Sequence, residues 1–169
     1  MVATGKVRVT ITAILVLCLA LAACAVNPAT GKRQLVLISE QQEIAMGEEN
    51  DKAISAQLGI YDDPDLQAYV QRLGTRLAAS SERPELNWTF RVVDDPIVNA
   101  FALPGGYIYV TRGILAYLDN EAALCSVIGH EIGHVTARHS VSQLSKAQLA
   151  QFGLGVVTIA APDKMQQFG

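Results

Sequence analysis

Cysteine is scarce, with three residues in 169, too few to build a domain out of disulfides. Charge is scarce too: charged residues make up 17% of the chain, where a soluble domain usually carries about a quarter. Basic residues are outnumbered, 13 Lys and Arg against 16 Asp and Glu. Residues 1–23 hold two of the bases and none of the acids, so the rest is more acidic than the net charge of −3 suggests. That balance excludes a general nucleic-acid binder, which needs a basic excess. A 50% hydrophobic content excludes a strongly disordered or collagenous chain. The unbroken apolar run 13–23 falls well short of the roughly 20 residues that a membrane-spanning helix requires.

What is present begins with that run. Lys6 and Arg8, an apolar stretch and then small residues form the layout of a secretory signal. The stretch ends Leu21-Ala22-Ala23-Cys24 and resembles the bacterial lipobox, in which the cysteine thiol is coupled to diacylglycerol and the signal is cut just before it. The expectation is a lipoprotein signal peptide over 1–23, lipidation of Cys24, and a lipid-anchored tether over 24–38. Each buried acyl CH₂ would add about 0.8 kcal/mol to membrane anchoring. Ala25 follows the cysteine, where an aspartate would resemble an inner-membrane retention signal, so onward export to the periplasmic face of the outer membrane is expected. Cys18 leaves with the signal, and Cys125 remains as a buried free thiol among Ala122, Ala123, Leu124 and Val127.

In the mature chain, residues 27–33 have turn chemistry and read as a tether and entry loop. Ser39 and Gln42 have capping-box spacing, which predicts a helix from about Glu40 to Leu58, stopped by Gly59. Asp63 as N-cap and Pro64 in the first turn predict a second helix. Its stripe of Leu66, Val70, Leu73 and Leu77 is core at helical spacing. Alternation predicts strands over 86–93, 98–103 and 107–111, with Pro104-Gly105-Gly106 as the turn between the last two. A short helix over 112–118 and a longer one from Asn120 or Glu121 to His139 complete the order. Residues 152–162 are apolar, too short to span a membrane and too greasy for a solvated loop.

The chemistry is concentrated in His130-Glu131-Ile132-Gly133-His134, an H-E-x-x-H motif inside the longer helix. Positions i and i+4 share a helix face, so two imidazoles can meet one metal ion, and zinc favours nitrogen ligands at about 2.0–2.1 Å. Glu131, adjacent to both, can reach a water on that metal. Zinc brings the pKa of such a water toward about 7, within reach of a carboxylate base. Glu131 can then hand the proton to the departing amine of a cleaved peptide. His139 lies five residues beyond His134. On a continuous helix it sits about 140° away and cannot join the same metal. It is expected either to support a ligand from outside or to act as a cation beside the helix's C-terminal carbonyls.

The segment 129–139, Gly-His-Glu-Ile-Gly-His-Val-Thr-Ala-Arg-His, together with 99–113, Asn-Ala-Phe-Ala-Leu-Pro-Gly-Gly-Tyr-Ile-Tyr-Val-Thr-Arg-Gly, resembles the HtpX/BepA-like zinc metallopeptidases. This is peptidase family forty-eight of the metallo class, which includes the CAAX prenyl proteases and the mitochondrial Oma proteases. The lipoprotein start is similar to the periplasmic BepA/LoiP-type branch. The resemblance implies an α+β, mainly helical, zincin-like fold with a small mixed β-sheet and an active-site H-E-x-x-H helix, occupying 39–169. It implies a Zn2+ cofactor on His130 and His134, a catalytic Glu131, and a cleft strand at Asn99, Ala100, Phe101 and Ala102 that holds extended substrate. It implies an envelope endopeptidase acting on misfolded or unassembled outer-membrane proteins, with the outer-membrane assembly machinery as a possible partner. The family's third ligand is a glutamate on a later helix, followed by an aspartate. After His134 the only acid is Asp163, behind Pro162 and in no such motif. A C-terminally truncated peptidase domain is therefore expected. The alternative is a non-catalytic, chaperone-like or assembly factor whose cleft holds polypeptide without cutting it, or a lipid-anchored module whose motif is a relic.

Overall fold

The computed structural model describes residues 24–27, 29, 31 and 33–160, with side chains at 27, 29, 31, 34 and 36–151. The expected signal peptide, the side chain of Cys24 and Asp163 lie outside the described residues.

The chain enters through a hairpin of β1 (Cys24–Val26) and β2 (Arg33–Leu35), paired antiparallel. Its turn follows the expected chemistry. Asn27 accepts the Ala29 N–H on its side-chain oxygen at 2.9 Å and the Gly31 N–H on its carbonyl at 2.8 Å, and Gly31 takes a φ of +66° that glycine adopts without strain. The two strands carry no alternation that would have announced them.

Helix α1 (Glu40–Leu58) starts where the capping box sets it. The Gln42 N–H donates to Ser39 Oγ at 3.2 Å, and the Ser39 N–H donates to Gln42 Oε1 at 2.9 Å. Helix α2 (Pro64–Ala78) starts at Asp63, whose carboxylate accepts the Leu66 N–H at 3.0 Å.

Strands β3 (Thr89–Val93), β4 (Ala100–Leu103) and β5 (Tyr107–Thr111) form one mixed sheet in the order β3-β5-β4. β3 runs parallel to β5, with Val92 opposite Val110; β4 runs antiparallel to β5, with Ala102 opposite Ile108. The turn between β4 and β5 uses Gly105 and Gly106 at φ of +80° and +100°. β3 and β4 begin later than the alternation predicts, because local bonds claim the preceding backbone. The Trp88 N–H donates to the Leu86 carbonyl, the Ile97 N–H to the Asp95 side chain, and the Thr111 hydroxyl engages the Ile97 and Asn99 carbonyls.

The short helix α3 (Arg112–Leu115) follows β5 and is capped by Thr111. Helix α4 (Glu121–Thr136) is capped by Asn120, and α5 (His139–Ala160) follows. α5 carries helical backbone through much of the apolar segment 152–162. Among the described residues no helix is long and apolar enough to cross a membrane.

Helices α2 and α4 pack on the sheet and on each other. Val70 and Leu73 of α2, Phe90, Val92, Ile108 and Val110 of the sheet, and Leu124, Ile128 and Ile132 of α4 form one buried cluster. The predicted α2 stripe is thus core, with Leu66 and Leu77 half-buried at its margin. Cys125 is a free thiol at that margin, half-buried rather than buried. Packing fixes α4 against the sheet, and the two histidines of the motif ride on its other side.

Candidate active site

Helix α4 buries Leu124, Ile128, Ile132 and Val135 toward the core. That leaves His130 exposed and His134 half-buried on the opposite side. One helical turn apart, their rings meet edge to face, with centroids 4.7 Å apart and planes at 88°. Their Nε2 atoms approach to 3.1 Å. Two nitrogens bound tetrahedrally at about 2.0–2.1 Å to one zinc ion stand roughly 3.3 Å apart. The side chains present therefore fit the group as two of its ligands. Among the described residues no group of three His, Cys, Asp or Glu converges on a common metal position. Gly129 and Gly133 flank the histidines, and a methyl group built on either would touch nothing within 4 Å. The helix face is open there.

Glu131 sits on the same turn but is 9% exposed. Burial pushes its carboxyl above the usual carboxylate range, while His134 and His130 pull part of the way back. No described residue hydrogen-bonds this carboxylate, so its oxygens are not committed to the fold.

β4 packs against α4 and forms an edge of the sheet, paired only with β5 among the described residues. Of the four residues expected to line a cleft, Asn99 precedes the strand and is exposed, while Ala100, Phe101 and Ala102 are half-buried within it. Phe101 stacks on Tyr109 with centroids 4.9 Å apart, and Ala102 packs on the core. The edge thus has its backbone to offer more than its side chains.

The structure corrects the expected course of the helix beyond the motif. α4 ends at Thr136, and Arg138 takes a φ of +52°. This left-handed conformation costs a non-glycine residue about 1–2 kcal/mol. Side chains from far away hold it. Arg138 Nε donates to Glu43 Oε2 at 2.8 Å, and Nη2 donates to the Ile38 carbonyl at 3.1 Å. Arg83 Nη1 donates to the other Glu43 oxygen at 2.8 Å, and Arg83 Nη2 donates to Glu40 at 2.8 Å. Glu43 is 1% exposed; an ionised carboxylate is tolerable there because two guanidinium groups face it. The hairpin contributes as well: Asn27 Nδ2 donates to the Ala137 carbonyl at 2.8 Å and Gln34 Nε2 at 3.3 Å.

His139 therefore does not sit 140° around a continuous helix, and it stands at the start of the next helix rather than at the end of α4. It opens α5, and its Nδ1 lies 2.7 Å from His134 Nδ1. Glu43, Arg83 and Arg138 went unnoticed in the sequence. Nothing in their local pattern marks them, because Glu43 and Arg138 are 95 positions apart.

Residues 64–169 match the sequence profile of Peptidase family M48. The chain belongs to peptidase family M48. Among its relatives, the "Beta-barrel assembly-enhancing protease" of Yersinia pestis is 32% identical over 142 residues, covering 80% of this chain and 29% of the relative. The "Putative beta-barrel assembly-enhancing protease" of Vibrio cholerae is 34% identical over 129 residues, covering 72% and 27%. The "Mitochondrial metalloendopeptidase OMA1" of Arabidopsis thaliana is 36% identical over 110 residues, covering 63% and 23%. The chain thus spans under a third of the length of these relatives. The mainly helical α+β fold and the M48 resemblance read from the two motifs are both borne out. The M48 match begins at Pro64 and takes in α2, the sheet and the motif helix. α1 lies before it, yet its Glu43 secures the corner that ends the motif helix.

Proposed function

We propose that this M48 chain is a zinc-dependent endopeptidase of the bacterial cell envelope. In this reading it cleaves misfolded or unassembled envelope proteins, outer-membrane proteins among them. His130 and His134 hold zinc and Glu131 is the catalytic residue. The observation that carries it is the approach of the two Nε2 atoms to 3.1 Å beside a buried, uncommitted carboxylate on the same turn. The names of the two bacterial relatives, which concern β-barrel assembly, support the substrate class and the envelope location. The lipobox-like end of the apolar stretch, Leu21 to Cys24, supports anchoring through Cys24 on the periplasmic side of the outer membrane.

When bound, zinc supplies Lewis acidity that polarises a peptide carbonyl and acidifies water. Glu131 takes the proton of the attacking water on a carboxylate oxygen and passes it to the nitrogen of the leaving amine. The free edge of β4 accepts an extended peptide by backbone hydrogen bonds, which selects for unfolded segments rather than for sequence.

The test is cleavage of casein, with and without a zinc chelator. Glu131→Gln keeps the side chain's size and removes its basicity. A general base contributes about 10²–10⁴-fold to rate, so kcat should fall by at least 100-fold while zinc stays bound. Full activity in Glu131→Gln, or cleavage indifferent to the chelator, would sink the mechanism.

A further inference from the structure

The corner between α4 and α5 does more than turn the chain. We infer that His139 is a positioning residue for the metal site, acting as the hydrogen-bond acceptor that fixes the ring of His134. The inference rests on the reading that zinc sits between His130 and His134.

A neutral imidazole has one N–H and one lone pair. If His134 turns its Nε2 lone pair toward His130 Nε2, 3.1 Å away, its proton is on Nδ1. That Nδ1 lies 2.7 Å from His139 Nδ1, within hydrogen-bond range. His134 therefore donates, His139 Nδ1 accepts, and the proton of His139 is on its own Nε2. The rings cross at 67° with centroids 5.0 Å apart, so the contact is edge-on through the nitrogens rather than a stack. Metal-ligating histidines commonly use their second nitrogen in this way, donating to an outer partner that sets tautomer and ring orientation.

The corner puts His139 there. A helix continued past Thr136 would have carried it away from His134. The left-handed Arg138 redirects the chain. Three elements distant in sequence hold it: Glu43 of α1 on the Arg138 guanidinium, the Ile38 carbonyl on the same group, and Asn27 and Gln34 of the hairpin on the Ala137 carbonyl. The neighbouring His130 has no such second partner among the described residues; its ring contacts His134. His134 is thus the ligand whose direction the fold controls.

The experiment measures zinc affinity of the full chain by competition with a chromogenic chelator, and the visible absorption of the cobalt-substituted protein. Four forms are compared: wild type, His130→Ala, His139→Ala and His139→Asn. Asn places an acceptor oxygen close to where Nδ1 stood. His139→Ala should weaken zinc binding by about 10- to 100-fold and alter the cobalt spectrum. His139→Asn should restore affinity to within a few-fold of wild type, and the chelator-stripped proteins should all melt together. Wild-type affinity in His139→Ala, with binding lost in His130→Ala, would overturn the inference and leave the zinc reading intact. So would a loss that Asn fails to rescue and that tracks a lower melting temperature of the stripped protein, which would assign His139 to folding. If wild type takes up no zinc, or His130→Ala keeps it, the zinc reading fails and this inference fails with it.

Discussion

Helices α1 and α2 follow one another in the chain and bury their inner faces with opposite chemistry. α2 buries Val70, Leu73, Gly74 and Ala78, an apolar stripe pressed on the sheet so closely that Gly74 meets the ring of Phe90. α1 buries Glu43, Gly47 and Asp51, also at helical spacing, but with two carboxylates and a glycine. Glu43 faces Arg83 and Arg138. Asp51 accepts from Arg91 Nε at 2.8 Å and from the Tyr109 hydroxyl at 2.6 Å. Gly47 lies under the β4–β5 turn, where a methyl group would stand 2.2 Å from the Pro104 carbonyl oxygen. Hydrophobic burial is non-directional and sums over area, so α2 is held wherever its stripe finds the core. Charge-assisted hydrogen bonds require particular partners at particular angles, so α1 is held in register with the sheet at one end and with the active-site corner at the other. The second kind of contact contributes less net stability per group, since desolvation offsets it. In exchange it couples α1 to the geometry around His134.

The comparison can be broken most decisively at Glu43. Glu43→Ala leaves Arg138 facing a buried site without its counter-charge and Arg83 with Glu40 alone, and should cost about 3–5 kcal/mol in urea unfolding. A loss below about 1 kcal/mol would mean that the polar stripe does not seat α1. Leu73→Ala, the matching cut in α2, should cost about 3 kcal/mol through lost burial and a residual cavity. Unlike Glu43→Ala, it should leave the zinc affinity of the chain unchanged.

A pH titration separates the helices next. Burial works to raise the Asp51 carboxyl, but the hydrogen bonds from Arg91 and Tyr109 outweigh it and hold it below the usual range. A group depressed in the folded state stabilises above its unfolded pKa of about 3.9, and that contribution fades as pH falls through the folded value. Stability should therefore drop as pH goes below about 4, and Asp51→Asn should flatten that part of the acid limb. Leu73→Ala should shift the whole curve without changing its slope there. The smallest effects are expected at the caps, where Ser39→Ala and Asp63→Ala should each cost about 1 kcal/mol. At this level the two helices should behave alike, because both begin by the same device. Thermal unfolding of the two single variants would reveal a difference.

Legibility in the sequence follows the same division. Ser39 and Gln42, Asp63 and Pro64, and Gly59 marked helix ends, because caps act over three or four residues. β5 occupies the expected span, Tyr107–Thr111, with four of its five residues buried. The Val70 and Leu73 stripe was legible because apolar periodicity is a local pattern. The inner face of α1 was not, since Glu43 and Asp51 look like solvent-facing acids until their partners arrive from 40 or more positions away. The start of β4 was misjudged by two residues because a Thr111 hydroxyl, from another strand, holds the carbonyls before it.

The sequence by itself determined the scarcity of cysteine and of basic charge, the helix caps, and the H-E-x-x-H spacing that puts His130 and His134 on one face. Each is a matter of composition or of neighbours within one or two helical turns. Tertiary structure alone decided where the motif helix stops and what stands behind its second histidine. Arg138 takes the left-handed conformation common just past a helix end, and its N–H donates to the Val135 carbonyl. Without glycine's freedom it is held there by a buried glutamate 95 residues earlier, which accepts from its guanidinium. His139, five residues beyond His134 in the chain, becomes its hydrogen-bonded neighbour because the corner that this ion pair helps to hold turns it back.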